Sequence, residues 1–451
     1  MSKIALLSAN PAKFPFPVYP LGMGYVAGAC AEAGHEVVQL DVQVEDLDRT
    51  LDRLKEFDPD LIGLSIRNID NCDSANFTSY IDYYCELIRK IRSLGDSPVI
   101  LGGSGFSLYA EAMMRRTGAD YGIIGEGEQT LVALLRDFDG GRLPPRGRLF
   151  DVPGPFTLRG FRAPVRSPHL VEYYLRFGGI MNVQSKRGCP YACSYCAYPL
   201  LEGDSFRRRA AEDVFEECRE LVTRFGADYI YFTDSIFNDP EGHYLEIAEQ
   251  FVRWELKCKW TGFFRPQNGW RREDIRLLKS SGMDCVEWGS DCTTAATLSG
   301  MNKGFDWSAV EESNNLFAEA GIANGHYLIF GGPGETTETV LEGLDNLTRL
   351  RDSVIFAFIG IRIIPNTDIY RLALREGVVD ASWDGLKEKF YFAPGLNWET
   401  VDALIRKSFA GNPCRIYPPT GDEKLIAALH QRGLKGPLWD YILKSRPRRR
   451  T

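Results

Sequence analysis

The chain has 451 residues, of which 44% are hydrophobic and 25% charged, and its formal net charge is −8 at pH 7. This length favours more than one domain, and the acidic balance argues against a general affinity for nucleic acid. There is no signal-peptide pattern after Met1 and no apolar run long enough to cross a bilayer, so we expect a cytoplasmic protein without a membrane span. The basic cluster at 446–450 is expected to be a solvated tail.

Strand and helix patterns alternate through the first domain, which we place at residues 1–140. This alternation of short apolar strands with helices is typical of a doubly wound, Rossmann-like parallel sheet. Such sheets bind ligands at the carboxyl ends of their strands. The predicted strands are 3–8, 35–40, 61–66, 98–101 and 121–124, and the predicted helices are 22–33 and 80–94.

A second alternation follows a linker at 141–170 that is rich in Gly, Pro and Arg. Six strands with intervening helices predict a partial (β/α)6 barrel over residues 171–375, with its chemistry on the loops after the strands. The alternation of strand and helix patterns ends before residues 376–451, which are expected to form a small, mainly helical C-terminal cap with the basic tail. The predicted barrel strands are 180–184, 229–233, 259–263, 285–288, 326–330 and 356–361.

Three of the eleven cysteines, Cys189, Cys193 and Cys196, lie within eight residues on the loop after the first barrel strand. Their thiolates could converge on one metal centre. Structural zinc usually takes four ligands, and the nearest histidine in sequence is His169. Iron–sulfur clusters are also held by thiolates, normally four, so three would leave one iron open. A disulfide is disfavoured in a reducing compartment, and burial as ordinary core cysteines is the remaining alternative.

The Cys-x3-Cys-x2-Cys spacing, with Tyr195 before the last cysteine, resembles the signature of the radical S-adenosylmethionine (SAM) enzymes. The resemblance implies a 4Fe–4S cluster on Cys189, Cys193 and Cys196, whose open iron binds the amino and carboxylate groups of SAM. It further implies that the reduced cluster cleaves SAM to a 5′-deoxyadenosyl radical. The electron would come from an external donor such as a flavodoxin or ferredoxin.

Polar and glycine-rich motifs follow later barrel strands where this family places its SAM contacts. The resemblance puts Asp234 and Ser235 near the methionine end of SAM, and a glycine-rich element, Gly331 to Gly334, near the adenine. Each motif has a structural alternative: Asp234 could cap a helix, and Gly-Gly-Pro-Gly could form a turn before a helix. The predicted SAM-binding residues are Tyr195, Asp234, Ser235, Glu287, Ser290, Asp291, Gly331, Gly332, Pro333 and Gly334.

The first domain resembles the cobalamin-binding domain of cobalamin-dependent radical SAM enzymes. The resemblance rests on short motifs after its strands, at the predicted ligand edge. It implies that Gly102 and Gly103 open a channel for the nucleotide tail and that Ser65 bonds to its base. The predicted cobalamin-binding residues are Leu21, Gly22, Ser65, Arg67, Asn68, Gly102, Gly103, Ser104, Glu126, Gly127 and Glu128.

The better-known cobalamin module carries a cobalt-binding histidine after its first strand, and residues 10–22 contain none. We therefore expect no imidazole below the cobalt, with Arg67 or Asn68 facing that side. The alternative is a nucleotide-binding or empty Rossmann-like domain. That alternative is weakened because neither G-x-G-x-x-G at the first turn nor a Walker pattern is present.

Together the motifs predict a methyltransferase that uses one SAM to methylate cobalamin and another to form the radical, and that methylates an unactivated carbon. The alternatives are a cobalamin-dependent cyclase or rearranging enzyme without methyl transfer, and a non-catalytic cobalamin or redox sensor. The substrate is expected to be a small molecule, such as a natural-product or lipid intermediate. Both cofactors should face one cavity, closed from water by the cap beyond Gly377.

Overall fold

The computed structural model describes residues 1–13, 15–151, 163–420, 426, 428–429 and 432–444. The basic cluster at 446–450 and the middle of the predicted linker lie outside these residues. Among the described residues, no helix is long and apolar enough to cross a membrane.

The N-terminal domain is built on a six-stranded sheet. Its strands are β1 (Lys3–Ser8), β2 (Glu36–Asp41), β3 (Leu61–Ser65), β4 (Val99–Gly102), β5 (Tyr121–Ile124) and β6 (Arg148–Asp151). All pairs are parallel, in the order β2-β1-β3-β4-β5-β6. The chain changes direction across the sheet between β1 and β3, which is where doubly wound sheets bind ligands. The helices are Leu21–Glu32, Leu47–Phe57, Ile81–Arg92, Ser104–Leu108, Ala110–Thr117 and Glu128–Asp139.

Strand β6 lies inside the segment predicted as linker. It pairs with β5 over four residues, from Tyr121 opposite Arg148 to Ile124 opposite Asp151. It is an edge strand whose end residues are exposed, so its sequence carries little of the apolar pattern that marks the inner strands. The first domain therefore extends to at least Asp151.

The second domain is a barrel-like parallel sheet that contains the six predicted strands. Its strands and the small hairpins beside them are β7 (Met181–Val183), β8 (Lys186–Arg187), β9 (Arg207–Arg208), β10 (Tyr229–Phe232), β11 (Lys259–Phe264), β12 (Cys285–Asp291), β13 (Ala323–Phe330), β14 (Ser353–Ile359), β15 (Ile361–Arg362), β16 (Phe390–Tyr391) and β17 (Arg415–Ile416). The parallel order is β17-β14-β13-β12-β11-β10-β7, and β8 with β9 and β15 with β16 form antiparallel pairs.

Helices cover the outside of this sheet. The helices are Pro168–Phe177, Tyr198–Glu202, Ala211–Phe225, His243–Arg253, Arg272–Ser280, Ala295–Gly300, Trp307–Glu319, Thr337–Asn346, Asp368–Arg375, Trp398–Phe409 and Asp440–Lys444, with a 3-10 turn at Leu347–Arg349. Apolar side chains on the outer face of the strands, such as Phe232 and Trp288, pack under these helices and form most of the core.

The C-terminal region does more than form a helical cap. Strand β17 adds a seventh strand to the barrel sheet by pairing with β14. Trp439 is buried at the starts of the barrel strands, beside Tyr229 and Cys285. A Cβ added at Gly325 would lie 2.8 Å from the Trp439 ring, so only glycine leaves room for it there. The C-terminal residues therefore close the amino end of the barrel.

Buried polar contacts dock the two domains. The Arg362 Nε donates to Asp70 Oδ2 at 2.9 Å, and both side chains are buried. The Tyr174 hydroxyl donates to Asp41 Oδ2 at 2.7 Å. Because Asp70 follows β3 and Arg362 follows β14, the first contact joins the carboxyl edge of the first sheet to the carboxyl edge of the barrel. The second contact joins the end of β2 to the helix that precedes β7.

Candidate active site

A cavity of about 770 Å³ lies between the carboxyl edges of the two sheets. The barrel contributes Tyr195 and Cys196 of the cysteine loop, together with Tyr231, Thr233 and Phe263 at strand ends. The first domain contributes every residue predicted to bind cobalamin, namely Leu21, Gly22, Ser65, Arg67, Asn68, Gly102, Gly103, Ser104, Glu126, Gly127 and Glu128. The sequence motifs of the two domains thus meet at one space, while the binding role of each residue remains a prediction.

The predicted cobalamin-binding glycines differ in whether the surrounding chain would accept a side chain. A Cβ added at Gly22 would meet no atom within 4 Å, and one at Gly102 would meet only the Ile123 carbonyl at 3.9 Å. At Gly103 the backbone has φ +95°, and an added Cβ would lie 2.6 Å from the Ile66 carbonyl oxygen. Gly22 and Gly102 therefore leave the cavity open, whereas Gly103 is required by the backbone itself.

Arg67 and Asn68 lie at this edge, and their position below the cobalt stays a prediction. The Arg67 Nε donates to Asn68 Oδ1 at 2.7 Å, and both side chains line the cavity. Burial lowers the pKa of Arg67. The first domain therefore presents a guanidinium and an amide, rather than an imidazole, beside the loop after β3.

Glu126 and Glu128 line the cavity, but their carboxylates are held by arginines of the barrel. Arg187 lies 2.9 Å from Glu126 and 2.8 Å from Glu128, and Arg207 Nη1 donates to Glu126 at 3.1 Å. Arg187 is buried, and its guanidinium stacks 4.7 Å from the centre of the Tyr25 ring. Because Arg187 lies two residues before Cys189, this network fixes the cysteine loop against the predicted cobalamin edge.

The cysteine loop is held by backbone contacts on both sides. Gly188, with φ +85°, begins the loop, and an added Cβ would lie 2.1 Å from the Ser205 carbonyl oxygen. Its N–H donates to Glu202 at 3.0 Å, and the Cys189 N–H donates to the Gly203 carbonyl at 3.1 Å. At the end of the loop, the Cys196 N–H donates a hydrogen bond to the Cys193 carbonyl at 3.0 Å. The loop conformation is therefore defined by the chain around it.

The three cysteine side chains suit a 4Fe–4S cluster by their chemistry and position. All are free thiols; Cys189 is buried, and Cys193 and Cys196 are partly exposed. Burial and the two neighbouring thiols together raise the pKa of Cys196 to about 12. Within the described residues, no three His, Cys, Asp or Glu side chains form a group that could hold a single metal ion. A cubane is wider than one ion, so its ligands stand further apart, and three free thiols on one short loop, with Cys196 lining the cavity, fit such a cluster.

Asp234 was predicted near the methionine end of SAM, but its carboxylate supports the chain before the cysteines. It is fully buried and accepts from the Ser185 N–H at 2.7 Å and the Lys186 N–H at 3.2 Å. The Lys186 ammonium lies 3.5 Å from it. Ser235 is closer to the predicted cluster: its hydroxyl donates to the Gly188 carbonyl at 2.8 Å and contacts the Cys189 thiol.

Asp291 was predicted to bind SAM, and the structure places it against the cysteine loop. The Tyr195 hydroxyl donates to Asp291 Oδ2 at 2.5 Å, and the Lys303 ammonium donates to the same oxygen. A register shift between Trp288 and Asp291, with φ +56° at Asp291, turns this end of β12. Asp291 therefore links β12 to Tyr195 of the motif.

Glu287 and Ser290 lie on opposite faces of β12. Glu287 is buried inside the barrel, where its carboxylate accepts from the Tyr231 hydroxyl at 2.5 Å and Trp439 Nε1 at 3.3 Å. Burial raises the pKa of Glu287. Ser290 Oγ lies 2.9 Å from His326 Nδ1 under the outer helices, so it does not join the other predicted SAM residues. Tyr231 connects Glu287 to the cavity.

The predicted adenine element, Gly331, Gly332, Pro333 and Gly334, is a tight turn after β13. Gly331 has φ +92°, and an added Cβ would lie 2.3 Å from the Phe392 ring. Glu335 accepts from the Gly332 N–H at 3.2 Å and also from the Gly331 N–H. Burial raises the pKa of Glu335 to about 7. A Cβ added at Gly300 would lie 2.1 Å from the Pro333 carbonyl oxygen, so this element packs against the turn that supports the cysteine loop.

Several functional positions were missed by sequence reasoning. Arg187 and Lys303 contact motif residues from outside the motifs, and Trp439 contacts Glu287 from 152 positions away. Arg187 could have been predicted from the sequence, because it lies two residues before Cys189. Lys303 and Trp439 could not, because they are distant in sequence and only folding brings them to the site.

Known proteins resemble the chain in both domains. The B12 binding domain family matches residues 8–135, and the Radical SAM superfamily matches residues 183–347. Tryptophan 2-C-methyltransferase from Streptomyces laurentii is 26% identical over 79% of this chain and 72% of that protein. Anaerobic magnesium-protoporphyrin IX monomethyl ester cyclase from Rubrivivax gelatinosus is 22% identical over 72% and 60%, respectively.

A solved structure has the same fold over nearly the whole chain. It is the radical S-adenosylmethionine methyltransferase TsrM from Kitasatospora setae, with cobalamin and a [4Fe-4S] cluster bound. The TM-score is 0.82 at 24% identity, with 98% of this chain and 97% of that chain covered. Together with the two domain matches, the cysteine loop and the shared cavity confirm the family predicted from the motifs. The chain belongs to the radical SAM enzymes that carry a B12-binding domain, and its cofactors are a 4Fe–4S cluster, SAM and cobalamin.

Proposed function

We propose that this enzyme transfers a methyl group to an unactivated carbon of a small molecule held between its two domains. The observation that carries the proposal is the single cavity lined by both the cysteine loop and the predicted cobalamin edge. A carbon radical is short-lived, so the methyl donor must wait within contact distance of the carbon that becomes the radical. One cavity between the two edges meets that requirement.

The two edges of the cavity would hold different cofactors. Cys189, Cys193 and Cys196 would hold the cluster, and the open edge at Gly22 and Gly102 would hold cobalamin. When bound, these groups would cleave one SAM to a 5′-deoxyadenosyl radical and carry the methyl group of another. The Arg187 network joins the two edges and would keep the two cofactor sites at a fixed separation.

Aromatic rings from both domains line one wall of the cavity. Phe16 of the first domain lies 6.1 Å from Tyr231 of the barrel, and the rings of Tyr231 and Phe263 lie 6.0 Å apart. Rings arranged in this way favour a flat, largely apolar ligand. The Tyr231 hydroxyl donates a hydrogen bond to the buried Glu287 and is a polar group in that wall. We therefore propose a small aromatic substrate, with an external flavodoxin or ferredoxin as the electron donor.

The test uses anaerobically reconstituted enzyme, SAM with a deuterated methyl group, and tryptophan as the first of a panel of aromatic compounds. We expect a labelled methylated product, with S-adenosylhomocysteine and 5′-deoxyadenosine both formed. A labelled product without 5′-deoxyadenosine would keep the methyltransferase and overturn the radical route. The absence of a labelled product from the whole panel, together with no S-adenosylhomocysteine, would contradict methyl transfer.

A second candidate is a cyclase or rearranging enzyme, which is favoured by the similarity to the magnesium-protoporphyrin cyclase. Such an enzyme would form 5′-deoxyadenosine without a matching amount of S-adenosylhomocysteine. The same assay therefore separates the two functions.

A further inference from the structure

The turn Met301–Asn302–Lys303 supports the cysteine loop from a part of the chain that carries no recognised motif. The Ser194 N–H donates to the Met301 carbonyl at 3.0 Å, and Asn302 Nδ2 donates to the Ala192 carbonyl at 2.7 Å. The next residue, Lys303, places its ammonium 3.5 Å from the Tyr195 hydroxyl. Three consecutive residues thus contact three residues of the loop between Cys189 and Cys196.

The Lys303 ammonium is a buried charge at this loop. Its side chain is 6% exposed and pairs with Asp291, which is 13% exposed. Arg265 is another cation against the loop: its guanidinium lies 4.2 Å from the centre of the Tyr191 ring, but the side chain is partly exposed. Water and salt screen an exposed charge far more than a buried one, so Lys303 has the stronger effect on groups nearby.

The field of Lys303 reaches the cysteine thiols. The ammonium contacts Tyr195, which lies directly before Cys196 in the chain, at 3.5 Å. The same turn is hydrogen-bonded to Ala192 and Ser194, the residues on either side of Cys193. The ammonium therefore lies where it stabilises negative charge on the sulfur ligands. Reduction adds one electron to the cluster, and a nearby positive charge favours that state.

We propose that Lys303 is a positioning residue that sets the reduction potential of the cluster. The buried ammonium raises the potential, and the Asp291 carboxylate limits the rise. This assignment rests on cluster binding alone and stands whether or not the enzyme transfers methyl groups. It gives the Tyr195–Asp291–Lys303 contacts a role in addition to holding the loop.

The test is a redox titration of the reconstituted full-length protein, monitored by electron paramagnetic resonance, without SAM and without cobalamin. A variant that removes the cation, Lys303→Met, should lower the equilibrium constant for one-electron reduction at least tenfold, a shift of about 59 mV to more negative potential. Asp291→Asn should shift the potential upward. The double variant should return near the native value, and Lys303→Arg should stay near it.

The opposite directions of the two single variants separate electrostatics from structure. Loss of loop support would lower iron content or shift both variants in the same direction. Either that result, or a Lys303→Met potential equal to the native one, would overturn the proposal. If Lys303→Met does not fold, Asp291→Asn and Lys303→Arg still decide it, because an unchanged or lowered potential in Asp291→Asn is incompatible with the assignment. Failure of methyl transfer in a separate assay would leave these potentials unaffected.

Discussion

Two adjacent glycines at the cobalamin edge should respond in different ways to substitution. Gly102 ends β4 with open space in front of it, since the nearest atom to an added Cβ is the Ile123 carbonyl oxygen at 3.9 Å. The side chain of Gly102→Leu would therefore project into the cavity without disturbing the apoprotein. An added Cβ at Gly103 would collide with Ile66 at 2.6 Å, and its φ is +95°. Gly103→Ala should therefore destabilise the domain itself.

The magnitudes differ accordingly. Extra side-chain volume in a filled site costs about 1–3 kcal/mol, which weakens cobalamin binding by Gly102→Leu about 5- to 140-fold. The melting temperature of apo Gly102→Leu should stay near that of the native protein. A non-glycine residue at the Gly103 backbone angle costs about 1–3 kcal/mol, which lowers the apoprotein melting temperature by roughly 2–12 °C for a domain of this size.

The assay combines calorimetry of the apoproteins with absorbance titration of cobalamin. Native cobalamin affinity in Gly102→Leu would refute the placement of the cofactor at this edge. Equal destabilisation of both apoproteins would refute the distinction between an open position and a backbone-required one. Gly95→Ala is a control away from the cavity, because its added Cβ meets no atom within 4 Å, and it should leave both the melting temperature and cobalamin affinity near the native values.

Three further predictions concern the cluster, the domain contact and pH. Replacing all three motif cysteines with alanine should abolish the roughly four irons per chain and the broad visible absorption of a cubane, and normal iron and sulfide content in that variant would contradict the site. Arg187→Met leaves Glu126 with Arg207 alone and takes from Glu128 the arginine that it pairs with. Because both carboxylates are partly buried, the loss should cost about 3 kcal/mol at most in urea unfolding; adding Glu126→Gln and Glu128→Gln should recover most of it, and no recovery would argue against the network. Burial raises the pKa of Asp41 from 3.8 to about 6, so the folded state keeps a proton that the unfolded state loses between these values. Stability should therefore fall by about 3 kcal/mol as pH rises from 4 to 6 and stay lower above it; Asp41→Asn should remove this part of the pH profile, and an unchanged profile would contradict the assignment.

The strand pattern and the cysteine motif could be predicted because both are local in sequence. The apolar strands Lys3–Ser8 and Tyr121–Ile124 were predicted with the bounds that the structure has. Strand β6 was missed because an exposed edge strand of four residues has no apolar signal. The cap was predicted to close the cavity, but among the residues described beyond Gly377 none lines it, and Trp439 closes the opposite end of the barrel.

The roles of the predicted polar residues could not be read from their positions. Asp234, Asp291 and Glu126 lie at the strand ends where the family pattern places ligands. Their carboxylates are engaged by Lys186, Lys303 and Arg187, respectively. A carboxylate at a strand end can face a ligand or a partner from another segment, and only the folded chain decides between them. These contacts hold the loops around the cavity, and a direct part of the three carboxylates in cofactor binding stays a prediction.

The central claim is that both cofactors act on one cavity. The most direct measurement needs no substrate: protein reconstituted anaerobically with iron, sulfide and cobalamin is reduced, given SAM with a deuterated methyl group, and analysed by mass spectrometry. We predict bound corrinoid that carries the labelled methyl group, with an equal amount of S-adenosylhomocysteine. Protein that holds the cluster but binds no corrinoid, or bound corrinoid that never acquires the label, would contradict the account.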